Sequence, residues 1–338
     1  MPSMLHLPSI PRVAGRAALF AASFLPAFFL PAGTSAVRSA GAAEPEAAPR
    51  LEAGRAFGYL TRICNIGPRV SGTTGMTRQQ RMIQQHMSDL GGKVGYQSFD
   101  APHPLTGRPV RLDNMVVTWN PEAKQRVLLA CHYDTRPFPD QDPRNPRGRF
   151  IGANDGASGV ALFMELAHHM RKIDLPYGVD FVFFDAEELI YVENDGSTRG
   201  EYFLGSTYFA NEYKNNPPPH KYVCGVLVDM IADKRLELYM EKYSLKYAPE
   251  VTRSLWKTAE RMSVEEFIPR EKHEVRDDHI PLNEIADIPT CDIIDFDYPD
   301  WHTTQDVPAR CSGESLVKVG RVLLEWLQHD VPAPRSDE

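Results

Sequence analysis

The chain has 338 residues, 42% of them apolar, and carries 37 basic against 45 acidic side chains for a formal charge of −8. That content can bury the core of one large α/β domain or two small ones, and the acidic balance argues against nucleic acid or an anionic membrane surface as partner. Five cysteines with neither a CxxC pair nor metal-finger spacing point to packed thiols rather than a disulfide framework, although an oxidising compartment would permit one bridge.

At the N-terminus, Arg12 and Arg16 precede the apolar run Ala17 to Leu30, small residues Ala40-Gly41-Ala42 follow, and no acid occurs before Glu44. This pattern reads as a signal peptide over residues 1–43, cut near Ala42 or Ala43, and predicts export to the periplasm or outside the cell. A run this short, interrupted by Pro26, does not make a membrane span, so no stable span is expected after cleavage. Cleavage removes three arginines and no acid, leaving the mature chain more acidic still. Residues 44–50 form a flexible leader, 51–330 one domain and 331–338 a tail.

Within the domain, Met82, Ile83, His86, Met87 and Leu90 recur at helical spacing, predicting a helix over 77–90 that Gly91-Gly92 stops. Strand-like runs follow at Val94–Phe99, Asn114–Trp119 and Arg126–Cys131. The polar stretch Asp134–Phe150 reads as a solvated loop, with a lid over substrate as the alternative use of Asp140, Asp142, Arg144, Arg147 and Arg149. A helix is predicted over Gly156–Ile173, a buried strand over Val179–Phe184, a helix over Phe203–Tyr213, strands at Val223–Val228, Leu236–Met240 and Cys291–Phe296, and a last helix over Ser315–Leu327. Strands alternating with helices in this way predict a single three-layer α/β domain, with a mixed, mostly parallel sheet between helices on both faces.

Chemistry-bearing residues fall at the carboxyl ends of these strands. His132 and Asp134 follow the run ending at Cys131, Asp155 precedes a helix, Glu187 and Glu188 follow Phe184, Asp229 follows Val228, and His302 comes a short loop after the last strand. Singly, each has an ordinary reading: Asp155 as a helix cap, His132 as a satisfied histidine, the glutamates as a solvated pair. Together they converge on one crevice and supply an oxygen and nitrogen ligand field suited to Zn²⁺ with an open position. Adjacent glutamates can divide the work, one holding metal and the other carrying protons at a pKa raised by burial.

Five segments in order, Ala130-Cys131-His132-Tyr133-Asp134, Gly152 to Gly159, Phe184-Asp185-Ala186-Glu187-Glu188, Asp277-Asp278-His279-Ile280-Pro281 and Trp301-His302-Thr303, resemble metallopeptidase family 28, the zinc aminopeptidases and their glutaminyl cyclase relatives. The resemblance implies zinc held by Asp155, Glu188 and His302, with Glu187 as general base and acid. In two-metal members, the positions of His132 and Asp229 hold a second zinc and Asp155 bridges, so one or two ions are expected. The Ile66-Gly67-Pro68-Arg69 segment, the double Asp before His279 and Trp301 beside His302 are closer to the cyclases, where residues matching Asp229 and Asp277 form an acidic relay beside the catalytic Glu. The implied activity is cyclisation of N-terminal glutamine on peptides or proteins, with Trp301 and Tyr191 lining the substrate pocket. Tyr191 stands in the region where cyclases commonly carry a Trp, and Gly152–Gly159 reads more like the peptidase version. A two-metal aminopeptidase and a non-catalytic binding module on the same fold are the competing readings.

Overall fold

The computed structural model describes residues 50–333 apart from Asn194, so the export signal and most of the leader and tail lie outside the described residues. In chain order the helices are α1 (Ala53–Ile66), α2 (Thr74–Asp89), α3 (Ala157–Leu166), α4 (Leu204–Asn215), α5 (Lys242–Tyr247), α6 (Pro249–Arg261), α7 (His279–Glu284) and α8 (Gly313–His329). The strands are β1 (Lys93–Pro102), β2 (Pro109–Trp119), β3 (Gln125–His132), β4 (Gly178–Phe184), β5 (Tyr191–Val192), β6 (Thr198–Arg199), β7 (Lys221–Asp229), β8 (Leu238–Met240), β9 (Phe267–Glu271) and β10 (Thr290–Ile294).

Six strands form the central sheet in the order β1-β2-β4-β3-β7-β10. From β4 across to β10 the pairings are parallel, whereas β2 runs antiparallel to both of its neighbours. Alternation along the strands splits the core. Val127, Leu129 and Cys131 of β3 with Val179, Phe181 and Phe183 of β4 face α1, α3, α6 and α8, while Leu128, Ala130, Val182 and Phe184 face α4 and α7. The mixed three-layer α/β fold is therefore the one expected.

Because β4 and β7 lie on either side of β3, the chain reverses its direction of travel across the sheet there. A crevice opens beyond the strand ends at such a reversal. His132 ends the middle strand, Glu187 and Glu188 follow β4, and Asp229 ends β7 beside the end of β10.

Some boundaries differ from expectation. The helix read over 156–173 ends as an α-helix at Leu166, and His168 and His169 then donate to Glu165 and Leu166 in tight turns. The last strand stops at Ile294, leaving Phe296 outside the sheet and partly exposed. Neither α5–α7 nor β9 stands out in the sequence as a separate apolar run.

A buried charge ties the sheet together. Arg126 on β3 makes a two-pronged pair with Asp180 on β4, Nε to Oδ2 at 2.8 Å and Nη2 to Oδ1 at 2.7 Å, and Tyr222 on β7 donates to the same carboxylate at 2.7 Å. Arg126 also donates to the carbonyls of Trp119 and Asn120, so the pair is fully bonded. Asp180→Ala strands a buried guanidinium, and unfolding in denaturant is expected to show a loss of about 3–5 kcal/mol.

Candidate active site

The crevice is a cleft of about 560 Å³, lined by Asp155, Glu187, Glu188, Asp229, Asp277, Trp301 and His302 among others. Two carboxylate and imidazole sets meet in it through one residue. Asp155 Oδ2 lies 3.4 Å from His302 Nε2, which is 3.2 Å from Glu188 Oε2. On its other side, Asp155 Oδ1 lies 3.3 Å from His132 Nε2, which is 3.2 Å from Asp229 Oδ1. Ligand atoms of His132, Asp155 and Glu188 all fall within 4.8 Å of one another.

Local backbone geometry puts these groups there. Asp306 accepts from the amides of Asn154 and Asp155 at 2.8 and 3.1 Å, and the buried Arg69 donates to the carbonyls of Ile151 and Gly152, fixing the turn that carries Asp155. Gly156 there has φ +86°, and a Cβ on it would meet the Asp134 carbonyl oxygen at 2.4 Å. Asp134 accepts from the amides of Glu187 and Glu188 at 3.1 and 3.2 Å, so one carboxylate aims the pair. Ala186, Phe203, Met230 and His302 all adopt φ between +50° and +61°. Such strain in non-glycine residues collects where surrounding structure enforces a function.

Burial and mutual repulsion dominate the electrostatics. Burial drives the Glu187 carboxyl well above its ordinary pKa; His132 opposes this, while Glu188 and Asp277 add to it. Glu188 is pushed up to about 7 by burial and by Asp155. Asp277 is raised by burial and by Asp229 and Asp278. The His302 imidazole is also raised, to about 9: its burial acts to lower it, but Asp140, Glu188 and Asp155 around it outweigh that and favour the charged ring. A buried set of two carboxylates and an imidazole, in which Asp155 Oδ2 has no hydrogen-bond donor among the described residues, suits a divalent cation taking N and O ligands.

The structure brings nearly all of the expected residues into this cleft. Trp301 lines it, with its ring stacked on His302 at 4.0 Å between centroids. Tyr191 does not line it: its ring packs against His103 and Phe138, and its neighbour Val192 faces the cleft instead, because alternation along β5 sends successive side chains to opposite sides. The Asp134–Phe150 stretch is solvated only in part: Arg144, Arg147 and Arg149 are exposed as expected, but its first half packs into the site. Asp140 reaches into the cleft, and buried Asp142 accepts from the amides of Arg144, Asn145 and Thr304. Sequence reading did not find Arg136, Tyr202, Phe203 or Phe296 in the lining. Only Arg136, two residues after Asp134, lay near a motif that could have drawn attention to it. Asp185 belongs outside the cleft, accepting from Ser71 and the Asp113 amide as a tether between β4 and β2. Cys131, like the other four cysteines, is buried and free.

A three-layer domain with this acid and imidazole set at its switch point defines the zinc-exopeptidase class. The chain belongs to peptidase family M28, whose sequence model matches residues 114–327. Among solved structures it is similar to a glutaminyl cyclase from Fimbriiglobus ruber, with 42% identity over 82% of this chain and 95% of that one and a TM-score of 0.79. It also resembles a structure described as a leucine aminopeptidase precursor from Bacteroides thetaiotaomicron, at 29% identity over 84% of this chain and 99% of that one, TM-score 0.76. The glutaminyl-peptide cyclotransferase of Drosophila melanogaster is 26% identical over 71% of this chain and 70% of its own length. Family membership implies zinc.

Proposed function

We propose that the chain is a zinc-dependent glutaminyl-peptide cyclotransferase, which converts an N-terminal glutamine of a peptide or protein to pyroglutamate and releases ammonia. The observation that carries this reading is the 42% identity with the Fimbriiglobus ruber cyclase across 82% of the chain. Zinc, held by Asp155, Glu188 and His302, would supply a Lewis acid for the side-chain amide oxygen. Glu187, largely buried and with its carboxyl pKa raised, suits a proton carrier. It takes a proton from the substrate's α-amine as the amine nitrogen bonds to the amide carbon, and returns it to the nitrogen that leaves as ammonia. Asp229 and Asp277 face the same cavity and hold the amine and the departing ammonia by hydrogen bonds. Trp301, fixed against His302, gives the apolar wall that orients the glutamine side chain.

One observation favours a second reading, a two-zinc aminopeptidase: His132 already stands 3.2 and 3.3 Å from Asp229 and Asp155, a ready second ligand set. There Glu187 would deprotonate water, and free amino acids would be released. Mass spectrometry of Gln-peptides and Leu-peptides incubated with zinc-loaded protein separates the two readings, and zinc content per chain separates them independently. Pyroglutamyl product with one zinc supports the cyclase; free amino acids with two zinc ions support the peptidase.

Asp140 tests the metal set from outside. Its Oδ1 lies 3.3 Å from His302 Nδ1, and Arg136 grips both of its oxygens at 2.8 and 3.0 Å. The ring N–H directed at Asp140 leaves Nε2 facing Asp155 and Glu188. Asp140→Asn is expected to weaken zinc binding by about 10- to 100-fold in competition with a chelator.

A further inference from the structure

Behind the cleft wall formed by residues 274–277 lies a second group of ionisable side chains, none of which lines the cavity. Glu241, His279 and Asp292 are each at most 1% exposed. Glu241 Oε1 accepts from the amides of Tyr243 at 2.8 Å and Val275 at 3.0 Å. Its Oε2 accepts from the Ser244 amide at 2.6 Å and the Ser244 hydroxyl at 3.0 Å, and lies 3.4 Å from His279 Nε2. Ser244 Oγ in turn accepts from the Asp292 amide at 2.9 Å, and His279 Nδ1 points toward Asp292 Oδ2 at 3.9 Å.

Two of these bonds cap α5, which is a sufficient use for an ordinary N-cap carboxylate. Of the other three contacts, one is to the Ser244 hydroxyl and two reach the segment that carries Asp277. Val275 precedes Asp277 by two residues and His279 follows it by two, so one carboxylate meets the chain on both sides of Asp277, by a hydrogen bond from the Val275 amide and by a close approach of the His279 ring. Asp277 itself is loosely held: Oδ1 accepts only from the adjacent Asp278 amide at 2.6 Å, and Oδ2 is buried with no partner among the described residues.

We infer that Glu241, acting with His279, is a positioning residue that fixes the Val275–His279 segment so that the Asp277 carboxyl stays in the cleft with Asp229. The inference rests on the cyclase reading for the role of Asp277. A shift of about 1 Å in such a group costs as much as about 10²-fold in rate. Glu241 never touches substrate, so its effect passes through Asp277 and disappears when Asp277 is disabled.

A double-mutant cycle on the zinc-loaded full chain tests this, with product followed by mass over long incubations. Glu241→Ala is expected to lower kcat by about 10- to 100-fold, with KM within about threefold and zinc content as in the wild type. In an Asp277→Asn background the same substitution is expected to change kcat by less than about twofold. Equal fold losses in both backgrounds, or no loss in the wild-type background, overturn the inference. Glu241→Gln, which keeps an oxygen for the Val275 amide, enters the same cycle should the alanine variant fold poorly. Wild-type protein is run in parallel on Gln-peptides and Leu-peptides. Release of free amino acids there sinks the cyclase reading, while the cycle run on the peptide that turns over still judges Glu241.

Discussion

Glu187→Gln is expected to lower turnover by about 10²- to 10⁴-fold while leaving the zinc content of the protein unchanged, the range lost when a positioned proton carrier is removed. The amide is nearly the shape of the acid, so the Asp134 clamp on the Glu187 and Glu188 amides survives the substitution. Steric disruption is therefore a poor explanation for the loss. Stability is a second readout. Burial of the Glu187 carboxyl, with Glu188, Asp277 and Asp278 nearby, outweighs the attraction of His132, so removing its ionisation relieves a net cost and Tm should be at least that of the wild type. Full activity in the variant would overturn the mechanism for the cyclase and the peptidase alike.

Asp155→Ala is expected to abolish zinc binding, a larger effect than the roughly 10- to 100-fold weakening typical of an outer-shell partner. Its two oxygens face two histidines, Oδ1 toward His132 and Oδ2 toward His302, so the substitution breaks both ligand sets at once. His132→Ala spares Asp155, Glu188 and His302 and should keep one zinc. Metal analysis of the two variants beside the wild type thus counts the sites: a single retained equivalent in both wild type and His132→Ala marks one ion as sufficient. Thermal melting with and without added zinc should show a shift in the wild type that Asp155→Ala lacks, because a ligand that binds only the folded state raises Tm.

Long apolar strands made much of this site legible in advance. Val179–Phe184 reads as a buried strand with an acidic end, and chain order set Glu187, Glu188 and Asp229 at strand ends around one crevice, while their roles there came only from the family resemblance. Less visible was anything set by close alternation or by turns. Tyr191 and Val192 differ by one residue and face opposite ways, a distinction that depends on the short β5–β6 pairing. Asp140 and Asp142 look alike in a polar stretch; only the chain folding back onto residues 302–304 makes one a support for His302 and buries the other under Thr304. Glu241 gave no signal, since a lone acid before a short helix is ordinarily a cap.

The order of the sheet also spreads the site over the whole domain. Asp155 and Glu188 follow β3 and β4 in the middle of the sheet, whereas His302 follows β10 at its edge, and Asp306 from the same C-terminal segment holds the turn that carries Asp155. A chain truncated before β10 would lack both the His302 imidazole and that support. An ion held by Asp155, Glu188 and His302 would therefore fasten the edge of the sheet to its middle.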